Sequence, residues 1–191
     1  MFNNEGAGMI RRNSSGGYPK IDKTAYIDPL AVIIGKVSIG KNVFVAPGAV
    51  IRADEPGSSI SIGDNCNVQD RVIIHALGDS SVIIGESASL SHGCIVHGPC
   101  KIGKKCFIGF GSVVFKSALA DKVFVGHLAV VEGAAIPEKR CVPSGSVINH
   151  KKKTKVLKMI SREQEKFIQQ VVDANTRLNA AAVANCGKSQ D

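Results

Sequence analysis

The chain of 191 residues contains no tryptophan, only two tyrosines, and no unbroken apolar segment of the roughly 18 or more residues that read as a membrane helix. No membrane span is therefore expected. The N-terminus lacks the hydrophobic core of a secretory leader; residues 1–17 are polar and glycine-rich and are expected to be flexible. Acidic side chains are outnumbered, 16 against 24 lysines and arginines, giving a net charge of +8. Much of that excess sits in His150-Lys151-Lys152-Lys153-Thr154-Lys155 and Lys158. Interleaved aromatics and a recognised binding motif are absent, so no nucleic-acid partner is expected. The basic run reads as a solvated linker over 149–155. Six cysteines include no CxxC pair. The expectation is a cytoplasmic chain with reduced, packed thiols rather than a disulfide or cysteine–zinc framework.

What the chain does have is a period of six. Aliphatic residues fall at Ile21, Ile27, Ile33, Ile39, Val45 and Ile51, then at Ile62, Val68 and Ile74. They resume at Ile84, Leu90, Val96, Ile102, Ile108 and Val114, and again at Leu119, Val125 and Val131. Gly or Ala often follows the aliphatic residue, as in Ile39-Gly40 and Val45-Ala46. A helical period of 3.6 cannot hold that phase, and simple alternation does not explain the small neighbour. A parallel β-helix explains both, with short strands as flat walls and small residues at the corners. Cys66, Cys94, Cys100 and Cys106 each lie four places after a repeat aliphatic, a regular packing position.

Breaks in the phase mark loops. Ile51 to Ile62 carries extra residues around Glu55-Pro56-Gly57-Ser58-Ser59, and Ile74 to Ile84 carries them around Leu77-Gly78-Asp79-Ser80. The β-helix is expected over 18–148, followed by an amphipathic helix over 156–184 and a flexible tail at 185–191. The helix's apolar residues are Val156, Ile160, Phe167, Val171 and Leu178, with Ser161 and Gln164 placed as a capping pair. It would lie against a solenoid wall or across a neighbouring subunit.

The repeat also predicts where side chains point. His75 follows Ile74 and His97 follows Val96; three hexads, one full coil, separate them, so the two should stack. The same step backwards puts Arg52, after Ile51, in that column. His92 is two past Leu90 and so faces another wall, with Asp70, two past Val68, beneath it. Three of the five histidines thus fall in register, which unrelated surface histidines would not do. Three imidazoles with an open fourth position form a catalytic zinc pattern. They can meet only if a second copy of the chain supplies one. Gln69 and Asp70, with Arg52, Asp54 and Glu55, are the polar neighbours such a centre needs; salt bridging between coils and subunits is the main role expected of Arg52 and Asp54.

Ile51-Arg52-Ala53-Asp54-Glu55, Asn67-Val68-Gln69-Asp70, Ile74-His75, Ser91-His92, Val96-His97-Gly98-Pro99 and Phe107-Ile108-Gly109-Phe110 resemble the γ-class carbonic anhydrases of the hexapeptide-repeat, left-handed β-helix superfamily. They also resemble the anhydrase-like domain of the carboxysome scaffold protein. The resemblance implies a homotrimer that hydrates CO2 reversibly to bicarbonate, with His75, His92 and His97 as ligands of Zn2+, or of Fe2+ or Co2+. It assigns Gln69 to positioning metal-bound water and Glu55 to the hydration chemistry. Asn175 would line the substrate pocket, and Arg52 and Asp54, with Asp70 beside Gln69, would make structural or trimer contacts. One departure stands out. The family's long acidic loop after the first histidine ligand carries a proton-shuttling glutamate, whereas here it is the short Ala76-Leu77-Gly78-Asp79-Ser80-Ser81. Slow turnover, a metal-stabilised scaffold without turnover, and a hexapeptide acyltransferase are the rival expectations.

Overall fold

The computed structural model describes residues 9–186. The flexibility expected of residues 1–8 and 187–191 lies outside them. The architecture is a parallel β-solenoid of about seven turns followed by a helix. Three sheets of eight, seven and eight strands form its walls. Two-residue strands suffice because each coil is hydrogen-bonded to the coils above and below it. Such a coil cannot bury its apolar side alone, so stability accumulates through stacking.

Every repeat aliphatic from Ile33 to Val131 is no more than 2% exposed, forming one continuous core. Ile136, Val142 and Ile148 extend the column beyond the expected series. Ile21 and Ile27, at the first coil, pack against it only partly buried. The cysteines bear out the packing argument: Cys66, Cys94, Cys100 and Cys106 are buried and free. Burial pushes the thiols of Cys66, Cys94 and Cys106 up to about 12.

The first wall comprises Met9–Arg11, Val32–Gly35, Val50–Ala53, Ile73–His75, Ile95–His97, Val113–Phe115, Val130–Glu132 and Val147–Ile148. We call it the histidine wall. The third, from Tyr26–Ile27 to Arg140–Val142, is covered by the long helix, and we call it the helix wall. Corner residues in left-handed conformation turn the chain between walls. One such residue, Gly93 (φ 67°), immediately follows His92. A Cβ there would meet open space, so backbone conformation alone favours glycine.

Three boundaries differ from expectation. Met9–Arg11, expected to be flexible, is a strand paired with Val32–Ile34. The supposed linker contains a short helix, α1 (Lys151–Lys155), whose Thr154 is buried. The long helix α2 spans Arg162–Cys186 rather than starting at 156. The cause is Lys158–Met159, which pairs antiparallel with Arg140–Cys141 and occupies the last open edge of the helix wall. The capping pair forms: the Ser161 amide donates to Gln164 Oε1 at 2.9 Å, and the Gln164 amide donates to Ser161 Oγ at 3.2 Å.

Candidate metal centre

Strand register puts Arg52, His75 and His97 side by side, because Ile51, Ile74 and Val96 point inward and their successors outward. His75 Nδ1 lies 3.0 Å from His97 Nε2. On its other side, His75 Nε2 is 3.1 Å from Asp54 Oδ1 and 3.5 Å from Glu55 Oε1. Asp54 in turn pairs with Arg52 at 3.1 Å. Glu55 Oε2 accepts a hydrogen bond from the Gly78 amide at 2.7 Å, so the short loop after His75 holds this carboxylate in place.

Proton accounting makes this pair unusual. Carboxylate oxygens only accept, so Nε2 of His75 donates to them and Nδ1 of the neutral ring presents a lone pair. His97 Nδ1 faces another acceptor, the Gly98 carbonyl, in a long contact of 3.4 Å. A hydrogen bond between the rings needs the His97 proton on Nε2, which leaves its Nδ1 without a donor for the Gly98 carbonyl; a cation between the two nitrogens would instead let both outer nitrogens donate. Two imidazoles on one tetrahedral zinc, each at about 2.0–2.1 Å, hold their nitrogens about 3.3 Å apart. The donor set and spacing therefore fit a divalent metal. The Asp54 contact also has the form of the carboxylate–histidine pairs that orient metal ligands.

His92 lies at the corner between the helix wall and the histidine wall. Its Nδ1 meets Asp70 Oδ2 at 2.6 Å, which leaves Nε2 of a half-exposed ring as the nitrogen that could hold a metal. Beside it, Gln69 Nε2 donates to Asn67 Oδ1 at 3.2 Å and to Asn175 Oδ1 of α2 at 2.7 Å. Both amide protons are thus committed, and Oε1 remains to accept a bond from water or substrate.

The candidate residues consequently fall into two groups. Arg52, Asp54, Glu55, His75 and His97 form one; Gln69, Asp70, His92 and Asn175 form the other. Among the described residues no hydrogen bond or ion pair joins them, and none of the chain's own clusters holds three metal-ligating side chains. Asp54 and Asp70 each touch a candidate ligand, His75 and His92 respectively. The Arg52–Asp54 bridge closes within one chain.

Several neighbours are assigned no role by the motifs. Phe110 packs on His92 with ring centroids 5.4 Å apart, and His127 stacks on Phe110 at 4.3 Å. The Phe110 amide donates to His127 Nδ1 at 3.0 Å. Phe115 meets His97 edge-on at 5.4 Å. The six-residue register does contain them: Phe110 and His127 are two past Ile108 and Val125, and Phe115 is one past Val114. The helix stripe differs from expectation. Phe167 and Leu178 remain 40% and 53% exposed, while Ile168, Val172 and Asn179 are buried. Asn179 accepts from the Tyr26 amide and donates to the Thr24 carbonyl, both at 2.9 Å, clamping α2 to the first coil. Its signal in sequence is absent, because an asparagine belongs to no apolar period.

Hexad phase and three parallel walls define a class, the hexapeptide-repeat β-helix proteins, and the chain belongs to it. The bacterial transferase hexapeptide model matches residues 18–53 and 81–116. Within that class the chain is similar to the carboxysome assembly protein CcmM of Nostoc sp., 39% identical over 171 residues, covering 84% of this chain and 31% of that protein. It is also similar to the carbonic anhydrase of Methanosarcina thermophila, 40% identical over 155 residues, covering 71% of this chain and 62% of that one. It thus spans less than two thirds of either relative. Among solved structures, a hexapeptide transferase family protein from Anaplasma phagocytophilum superposes with a TM-score of 0.78 at 25% identity, covering 91% of this chain and 97% of that one.

Proposed function

We propose that the chain is a metal-dependent carbonic anhydrase whose centre is assembled between copies in a homotrimer, the His75–His97 pair of one meeting His92 of the next. The observation that carries this reading is the division into two half-centres, each with carboxylate-oriented imidazoles and neither sufficient alone. The similarity to the carbonic anhydrase of Methanosarcina thermophila supports the chemistry. Zinc suits three neutral imidazoles, as do iron(II) and cobalt(II).

The bare histidine wall supports the assembly. Met9, Val32, Val50, Ile73, Ile95, Val113, Val130 and Val147 pair strand to strand as one aliphatic column running the length of the solenoid. A shallow depression of about 350 Å³ lined by Ile95, His97, Val113, Phe115, Val130 and Glu132 adjoins it. A contiguous apolar strip of this kind marks an interaction face, and a second copy brings the missing imidazole with it.

When bound, the metal supplies a water acidified to a pKa of about 7, a value taken from carbonic anhydrases as a class. Asp54 holds the tautomer of His75, and Asp70 does the same for His92. Gln69, fixed by Asn67 and Asn175, offers Oε1 to orient the attacking oxygen. Glu55, fixed by the Gly78 amide, accepts the proton and passes it to buffer, since the short loop after His75 carries no second glutamate.

The test is metal analysis of anaerobically prepared protein together with a CO2-hydration assay. Near one metal per chain with hydration is the expected result, and absence of metal ends this reading. A scaffold reading is favoured by the short loop and by the similarity to carboxysome assembly proteins; it predicts metal-dependent melting without hydration. An acyltransferase, the reading suggested by the likeness to a candidate acetyltransferase of Bacillus cereus, would keep metal-independent behaviour in His75→Ala, His92→Ala and His97→Ala.

A further inference from the structure

The chain's basicity is concentrated at one end of the solenoid. Residues 149–162 contain six of the 24 basic residues and none of the 16 acidic ones, leaving 18 against 16, a net of +2, for everything else. This segment is a folded cap. Thr154 and Leu157 are buried, with Leu157 joining the end of the core. α1 lies over the last strand of the second wall, Ala135–Ile136, while Lys158–Met159 closes the helix wall.

Plugging those residues inward turns the others outward. Lys151, Lys152, Lys155 and Lys158 are exposed and have no ion-pair partner among the described residues. Lys153 is different, since its ammonium bonds the Val147 carbonyl and Asn149 Oδ1. Between the lysines stand two large apolar side chains, Val156 at 79% and Met159 at 53% exposure. Lysines alone would be accounted for as protection of an open sheet edge against self-association. That function gains nothing from a valine and a methionine projecting among them.

We propose that this cap docks onto an anionic lipid surface, lysines meeting headgroups and Val156 and Met159 entering the interfacial layer. Cationic side chains around exposed apolar ones are the combination that binds bilayer surfaces without spanning them. A side chain as exposed as Val156 suits a soft, flat partner better than a peptide, which needs a recess to anchor in. In a trimer of parallel solenoids three caps would face the same way, and their attachment would multiply; this enhancement alone rests on the function proposed above.

Vesicle flotation of the intact chain tests it, comparing phosphatidylcholine with the same lipid containing about one third phosphatidylserine. Binding is expected only to the anionic vesicles, falling at least tenfold as salt rises from about 0.1 M to about 1 M, where the Debye length shrinks from about 10 to about 3 Å. The combined Lys151→Gln, Lys152→Gln, Lys155→Gln and Lys158→Gln variant should bind more than tenfold less. Val156→Asp, at a site too exposed to disturb folding, should do the same with an unchanged melting temperature. Equal binding to neutral vesicles, or an unaffected lysine variant, overturns the proposal. So does a DNA duplex that displaces the vesicles and binds Val156→Asp as well as wild type, which would make the cap a nucleic-acid site.

Discussion

The helix wall and the histidine wall are built from the same hexads, yet the chain treats them oppositely. It lays α2 across the first, sealing Phe107, Asn67 and Ser89, and leaves the second bare. The covered wall meets the helix through both apolar and polar side chains, with Phe167 on Phe107, Asn67 bonded to Ser89 and Gln69 to Asn175. The bare wall presents aliphatic side chains flanked by imidazoles. The wall under the helix carries matched hydrogen bonds, whereas the bare wall carries apolar surface and half of the proposed ligand set. Each half-centre belongs to one of these treatments, the first on the bare wall and the second at the edge of the covered one.

Substitutions on each side should break this contrast in distinct ways. The largest effect is expected from charge on the bare wall: Ile95→Asp with Val113→Asp should convert trimers wholly to monomers in sedimentation, while far-ultraviolet circular dichroism stays that of the solenoid. Trimers that survive both charges would mean that the strip is not the interface. On the covered wall, Ile168→Asp buries a charge under α2 and should cost several kcal/mol in denaturant unfolding, with no requirement for dissociation.

A smaller loss of about 0.5–1.5 kcal/mol is expected from Asn179→Ala, which takes the side-chain partner from the Thr24 carbonyl while the Tyr26 amide keeps its bond to the Val43 carbonyl. Stability equal to wild type would show that the clamp contributes nothing. Next, Asp70→Asn should weaken metal binding about 10–100-fold by freeing the His92 ring, whereas His92→Ala should abolish it; a competitive chelator titration separates the two.

The smallest effect concerns the core that both walls share. Folded-state thiol pKa values near 12 at Cys66, Cys94 and Cys106 stand above the ordinary 9.0. Groups raised in this way contribute stability that is complete below pH 9 and is lost as pH climbs towards 12. Peptide mapping after alkylation at pH 8 should therefore find these three unmodified in native protein and part-exposed Cys141 labelled. Prompt labelling of Cys94 would contradict the packing.

Strict periodicity makes much of this legible in the residues alone. Counting in sixes from Ile74 places His97 on His75 and both beside Arg52, and the strand register agrees residue for residue. Counting from Val68 likewise stacks His92 on Asp70, which are in contact. The same arithmetic fails where the chain leaves the solenoid. Asn175 and Asn179 face inward because they meet polar partners, so an apolar stripe chosen at Phe167, Val171 and Leu178 misses the buried face: Phe167 reaches Phe107 from its edge and Leu178 is exposed. The lysine run has the composition of a solvated linker because its anchors, Thr154 and Leu157, are two residues among many charges. Edge strands need a cap, and only the topology says which segment supplies it.

The central claim, that one metal centre is divided between two walls of different copies, is tested most directly by complementation. His75→Ala spoils the bare-wall half and His92→Ala the covered-wall half, so neither chain alone should bind metal. Co-refolded, every mixed trimer contains one junction at which an intact half of each kind meets, and metal analysis of isolated mixed trimers should find that single site occupied. Mixed trimers as metal-free as their parents would contradict the divided centre.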